Sequence, residues 1–238
     1  MGHLHPEIDS DKCVGCHLCQ MSCPVINRQT LLYPKSCYAV ALAEEKDLME
    51  SASGGAATAL MRAVVSEDGI VYGCTGEDVF HVHHIRVDSL QDIQRLRGSK
   101  YVQSEIGTTY SDVLKDLKDD KMVLFTGTPC QIAGLKSFLR KDYSNLTTID
   151  LVCHGVPSQK MLTENIGYYT EEKDGKKIKV SFRKKVVDEG GKTKHNSARI
   201  VYGWFLQNQP YTSINRKFYD DSYMFGFLQS LTFRESCY

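Results

Sequence analysis

The sequence predicts an α/β fold: a mainly parallel or mixed sheet with flanking helices, preceded by a small cysteine-rich segment. Three observations carry this. The composition changes near residue 36, strand-like and helix-like stretches alternate after it, and four cysteines crowd into "CVGCHLCQMSCP" at residues 13–24. A chain of 238 residues can bury a full core. Its zero net charge gives no reason to expect nucleic acid or an anionic membrane as partner. No apolar run reaches membrane-spanning length and the polar start "MGHLHPEIDSDK" lacks the apolar centre of a secretion signal, so a cytoplasmic protein is expected.

The elements follow in order. "GGAATALMRAVVSE" (54–67) has helical spacing, and "GIVYGC" (69–74) reads as a buried strand. A strand is expected over 79–87, a helix over 107–118 and a strand at "KMVLF" (121–125). "CQIAGLKSFLRK" (130–141) reads as a helix, "LTTIDLVC" (146–153) as a strand and 160–171 as a helix. A Gly-turned hairpin is expected over 176–206 and a helix over 218–230. Strand, helix, strand in succession implies mainly parallel pairing with helices packed on the sheet. The basic "KKIKVSFRKK" (176–185) alternates as an exposed strand with a solvated face would.

The nine cysteines are odd in number and unevenly spaced, which suits a reducing compartment and metal chemistry better than a disulfide framework. Cys13, Cys16, Cys19 and Cys23, followed by Pro24, form the C-x2-C-x2-C-x3-C-P run of ferredoxin-type [4Fe-4S] segments. Gly15 permits the tight turn that lets the first three thiolates curl round one cube. Zinc is the rival reading, but zinc ribbons space two C-x2-C pairs widely apart. In two-cluster chains the fourth cysteine of such a run serves the other cluster. One ligand and one cluster are therefore unaccounted for: either Cys37 closes the gap, or a matching run belongs upstream of residue 1.

Three further stretches carry chemistry. "MVLFTGTPCQIAGLKSFL" (122–139) places Cys130 at the opening of a helix, where free amides and the macrodipole favour a thiolate. "IDLVCHGVPS" places Cys153 at the end of the next strand, and "FRESCY" adds Cys237. Either strand-end cysteine read singly is an inert buried thiol; two at the same end of adjacent strands favour convergence. "SASGGAATAL" (51–60) offers free amides for a phosphate or is simply a well-capped helix. "RGSKYVQS" (97–104) offers the Lys100 charge and the Tyr101 ring, or is an ordinary turn. His81 and His83 share a strand face without a third ligand and read as surface residues, Cys74 reads as core, and His154 could tune a neighbouring cluster or donate a proton.

Taken together and in this order, "SASGG", "GSKYVQS", "VLFTGTPCQIAGL" and "DLVCHGVPS" after a ferredoxin-type run resemble the coenzyme F-420 hydrogenase/dehydrogenase beta subunit family, in its bacterial branch, over nearly the whole chain. The resemblance implies a partial ferredoxin-type segment over 1–36 and a flavin and iron–sulfur core over 37–238. It implies Cys130, Cys153 and Cys237 as ligands of a core [4Fe-4S] cluster, with a fourth past Tyr238, so that a fragment shortened at both ends is expected. It further implies an FAD site lined by Ser53, Gly54, Gly55, Ser99, Lys100 and Tyr101, with Thr126, Gly127 and Thr128 close by. No catalytic side chain is assigned.

Clusters carry single electrons, whereas deazaflavins and nicotinamides exchange a hydride, so a flavin is expected between them. The expected activity is an oxidoreductase with FAD and [4Fe-4S] clusters. Its partners would be a soluble hydride-carrying coenzyme or organic substrate, and ferredoxin or another electron-transfer subunit. The alternative is a relay or docking subunit without substrate chemistry of its own.

Overall fold

The structure is a computed structural model and describes residues 2–27, 33–187, 198–208 and 212–237. Its elements, in chain order, begin with α1 (Leu18–Met21), α2 (Glu45–Glu50), α3 (Ala56–Ser66), β1 (Ile70–Thr75) and β2 (His83–Val87). There follow a 3-10 helix (Asp92–Leu96), α4 (Thr109–Lys118), β3 (Val123–Gly127), α5 (Pro129–Leu139), β4 (Leu146–Asp150) and α6 (Gln159–Tyr169). The chain continues through β5 (Ile178–Val187), β6 (Ala198–Asn208), β7 (Thr212–Lys217) and α7 (Ser222–Leu228) to a closing 3-10 turn, Glu235–Cys237.

Four strands form a mixed sheet in the order β2-β1-β3-β4, in which β1, β3 and β4 run parallel and β2 lies antiparallel on the edge. The central strand β3 is buried along its whole length, as expected where helices cover both faces. The period of two then sorts the core. Tyr72 and Phe125 face α4 and α5 with Val113, Leu117, Ile132 and Leu135. Val71 and Leu124 face α3 and the first 3-10 helix with Met61, Val65, Ile93 and Leu96. Each fully buried side chain of this size contributes about 1.5–3 kcal/mol. A third apolar cluster joins α6 and α7 to β5 through Leu162, Ile166, Ile178, Phe182, Met224 and Phe227.

The α/β class is as expected, and the differences have local causes. The strand expected over 79–87 begins only at His83, because the Asp78 carboxylate accepts the Phe80 amide at 2.9 Å and its carbonyl accepts His81 N at 3.1 Å, making a turn. The strand expected to reach Cys153 ends at Asp150. The hairpin is present as antiparallel β5 and β6, its turn falling outside the described residues, and β7 adds a third strand that the sequence did not announce. The basic stretch 176–185 enters its strand only at Ile178, after a 3-10 turn over Gly175–Lys177, and that strand is half-buried rather than exposed: Ile178 and Phe182 are 2% and 3% exposed.

The glycine pair before α3 does not stand open. Leu42 N donates to Gly54 O at 2.8 Å, and a Cβ on Gly54 would lie 1.9 Å from Val40 O. Gly55 caps α3 at φ 78° against the Leu42 side chain. Gly54→Ala must displace the backbone of residues 40–42, and a loss of about 2 kcal/mol or more is expected in urea denaturation. Gly167→Ala, inside α6 with nothing within 4 Å of its Cβ, should instead gain about 0.5–1 kcal/mol.

Candidate functional site

Parallel pairing aims the C-terminal ends of β1, β3 and β4 at one edge of the sheet, the usual place for a site in open α/β sheets. Cys74 lies at the end of β1, Cys130 in the first turn of α5 after β3, and Cys153 three residues beyond β4. Cys130 and Cys153 are exposed and Cys237 is half-buried. Burial pushes the Cys153 thiol up, the Gly155 amide pulls it down, and the charges of Cys130 and Cys237 push it up again. The three cysteines expected to act together are thus electrostatic neighbours. Arg234 N, bonded to Val156 O at 3.3 Å, ties the tail carrying Cys237 to the loop after Cys153. Cys74 packs against the core, and burial pushes its thiol up.

Among the described residues, no three His, Cys, Asp or Glu side chains are grouped closely enough to hold a metal ion. Sulfurs around a single zinc lie about 2.3 Å from it, whereas a cube separates its ligands more widely. In its chemistry, the donor set at Cys130, Cys153 and Cys237 fits a cluster.

The Cys130 turn is held by a buried polar chain. His84, 6% exposed, lies flat on Phe125, with ring centroids 5.4 Å apart. Its Nε2 donates to Thr126 O at 3.1 Å, which leaves Nδ1 to accept from Ser104 Oγ at 3.3 Å. Gln131 Nε2 donates to Ser104 Oγ at 2.9 Å, and Gln131 Oε1 accepts Thr128 N at 3.0 Å. Thr128 Oγ1 lies 3.2 Å from Cys130 Sγ. Thr126 Oγ1 is engaged elsewhere, donating to Tyr72 O at 3.3 Å.

In the N-terminal run, Gly15 adopts φ 66° as its role requires, and Asn27 Nδ2 caps α1 through Gln20 O at 2.6 Å and Met21 O at 3.1 Å. Cys13, Cys16 and Cys19 are exposed and Cys23 is half-buried; Cys37 is also exposed. Gln103 fastens the stem of this segment to the core: its Oε1 accepts Leu4 N at 3.2 Å, while its backbone amide donates to Pro157 O at 2.8 Å in the loop after Cys153.

A cavity of about 1140 Å³ opens beside the end of β1. It brings together Ser53, Ser99 and Lys100, three of the expected flavin contacts, from loops far apart in sequence. Gly54, Gly55, Tyr101, Thr126, Gly127 and Thr128 do not line it. The Tyr101 ring stacks on Phe227 at 4.5 Å. The Lys100 ammonium is a clamp: it donates to the carbonyls of Cys74 at 2.9 Å, Leu96 at 2.9 Å and Arg97 at 2.8 Å, and burial pulls its pKa down. Ser53 holds a left-handed φ of 49°, and its carbonyl accepts Lys185 Nζ at 2.6 Å.

The cavity lining carries seven cationic side chains and two carboxylates, so it favours an anion. Arg97 is bonded to Glu50 at 2.6 Å and Asp47 at 3.0 Å, yet its buried Nε has no partner. Arg62 and Arg97 together hold Asp47 down to about 2. Arg97, Arg183 and Lys185 were not singled out from the sequence; the alternation in "KKIKVSFRKK", which puts Arg183 and Lys185 on one face, was the available signal. His81 bonds Glu105 at 3.0 Å and stacks on His83 at 4.5 Å, on the surface. His154 lies edge-on to Phe227 and Phe233, with Nε2 donating to Leu228 O at 3.4 Å.

Residues 120–224 match the family model that describes the C terminus of the beta subunit of coenzyme F420 hydrogenase/dehydrogenase. The resemblance read from the motifs holds. The matched stretch contains β3, Cys130 and Cys153, and residues 4–25 match the model of a 4Fe-4S binding domain, which takes in all four cysteines of the run. Among solved structures, a chain of the xenon-derivatised F420-reducing [NiFe] hydrogenase complex from Methanosarcina barkeri shares the fold with a TM-score of 0.50 at 18% identity. The likeness covers 74% of this chain and 58% of that one, so this chain spans less than two thirds of the solved chain. No curated protein matches in sequence. Among the described residues no helix is long and apolar enough to cross a membrane.

Burial pushes the His84 pKa down to about 4 from 6.5, so the neutral ring is favoured in the folded state. That contribution is complete above pH 6.5 and is lost as the pH falls from there towards 4, costing about 2 kcal/mol at pH 5. Urea denaturation at pH 7.5 and pH 5 checks this. His84→Gln, which does not titrate, should show a pH-dependent loss smaller by that amount.

Proposed function

We propose that the protein is an iron–sulfur flavoprotein oxidoreductase. It exchanges a hydride between FAD and a soluble coenzyme, a deazaflavin of the F-420 type or a substitute with the same hydride chemistry. It passes single electrons through [4Fe-4S] clusters to ferredoxin or another electron-transfer subunit. The observation that supports this reading is that Cys130 and Cys153 follow the C-terminal ends of β3 and β4, at the sheet edge where β1 leads into the wall of a large cation-rich cavity. The family match over 120–224 and the 4Fe-4S match over 4–25 support it.

In this reading residues 1–36 are a ferredoxin-type segment and 37–238 the flavin and iron–sulfur core. Cys13, Cys16, Cys19 and Cys23 hold iron in the first; Cys130, Cys153 and Cys237 hold it in the second. Bound flavin supplies the conversion between paired and single electrons that thiols and iron do not. The protein's own part is to bind and orient. Ser53, Ser99, Lys100 and Arg97 belong to the cavity lining, whose excess of positive charge favours a phosphate. The volume, slightly above the usual range for small-ligand sites, suits a dinucleotide. The Gln103 contacts keep the N-terminal segment beside the Cys153 loop, on the side where electrons would leave.

Anaerobic reconstitution followed by acid extraction should yield FAD; an extract without flavin would leave a ferredoxin-like relay. Cys130→Ala and Cys153→Ala should each lose the iron and sulfide of one cluster while keeping that of the run. Arg97→Ala should weaken FAD retention about tenfold or more in equilibrium dialysis.

A further inference from the structure

We infer that Thr128 is a tuning residue for the core cluster, its hydroxyl donating a hydrogen bond to the Cys130 sulfur. This rests on the cluster reading above and adds to it a residue that sets the potential. Thr128 Oγ1 and Cys130 Sγ are 3.2 Å apart, inside hydrogen-bond range for sulfur. A thiolate that binds iron carries no proton and can only accept, so the hydroxyl must donate.

The surroundings keep that proton available. Thr128 and Gln131 form a capping box at the start of α5, each side chain reaching the other's backbone, so the Thr128 oxygen serves as acceptor for the helix while its hydrogen remains for sulfur. Gln131 cannot drift from this position. Its side chain is gripped by Thr128 N at 3.0 Å and Ser104 Oγ at 2.9 Å, and its carbonyl accepts Tyr110 OH at 2.7 Å. Ser104 is in turn oriented by the buried His84. Pro129 fixes φ between the donor and the sulfur-bearing residue, so the hydroxyl and the thiol are presented together.

Hydrogen bonds to cluster sulfurs stabilise the extra negative charge of the reduced state and raise the reduction potential. Removing this one should make the cluster harder to reduce without removing iron. The full chain is reconstituted anaerobically and titrated with reductant under electron paramagnetic resonance, the core cluster being identified as the signal lost in Cys130→Ala.

Thr128→Val should move the midpoint of that signal to a more negative potential at an unchanged iron-to-protein ratio, and Thr128→Ser should restore it. Thermal melting checks that the helix start survives. If Thr128→Val does not fold, Thr128→Gly, which is tolerated at a helix N-cap and brings neither hydroxyl nor charge, should show the same direction of shift. An unchanged midpoint in a folded, iron-replete Thr128→Val, or in its Gly substitute, overturns the inference and leaves the cluster reading standing. If Cys130→Ala loses neither iron nor signal, the cluster reading falls and takes the inference with it.

Discussion

The parallel hydrogen bonds joining β1, β3 and β4 decide which turns of this chain meet. With Val123 opposite Leu146 and Gly127 opposite Asp150, the two strands leave the sheet level with one another, and Leu151 N still bonds Gly127 O at 3.0 Å beyond the last pair. The cysteines that follow are therefore delivered to one edge although 22 residues lie between them in the sequence. A slip of one residue in this register would turn Phe125 and Leu124 to the wrong faces and unmake both core layers. The same constraint that stabilises the fold brings Cys130 and Cys153 to one edge.

Charge organises the neighbouring cavity in a different way. Its cations are mostly committed: Lys100 and Lys185 are spent on backbone carbonyls, while Arg95 and Arg97 are paired with Glu77 and Glu50. These bonds fix the loops in place, and the net excess of positive charge in the lining is left to act as a field. Lys100 illustrates the distinction. From the sequence it is a charge for a phosphate; in the fold it is the staple that closes the loop from Leu96 to Lys100 onto the end of β1.

Much of this was legible beforehand, for identifiable reasons. The strand "VLFTG" declares itself by an unbroken apolar run before a Gly-Thr-Pro turn, and a helix opening at Cys130 follows from that turn; the capping box of Thr128 and Gln131 was not read from the sequence. The edge convergence of Cys130 and Cys153 followed from assigning both to strand ends. What escaped depended on contacts distant in sequence. The glycines at 54 and 55 look bare in the sequence, and only the folded chain reveals that Val40 and Leu42 occupy that space. β7, "TSINRK", is too polar to announce itself, since its strand character comes from pairing with β6. Asp78 converts an apparent strand into a turn through one side-chain hydrogen bond.

The stretch from Ser99 to Ser104 touches three structures within six residues. Ser99 and Lys100 border the cavity, Gln103 moors the N-terminal segment, and Ser104 supports the Cys130 turn through Gln131. Such a strip behaves as a common keel: its position cannot change at one station without being felt at the others. A displacement of this hexapeptide would therefore bear on the cavity wall, on the mooring of residue 4 and on the turn at Cys130 together.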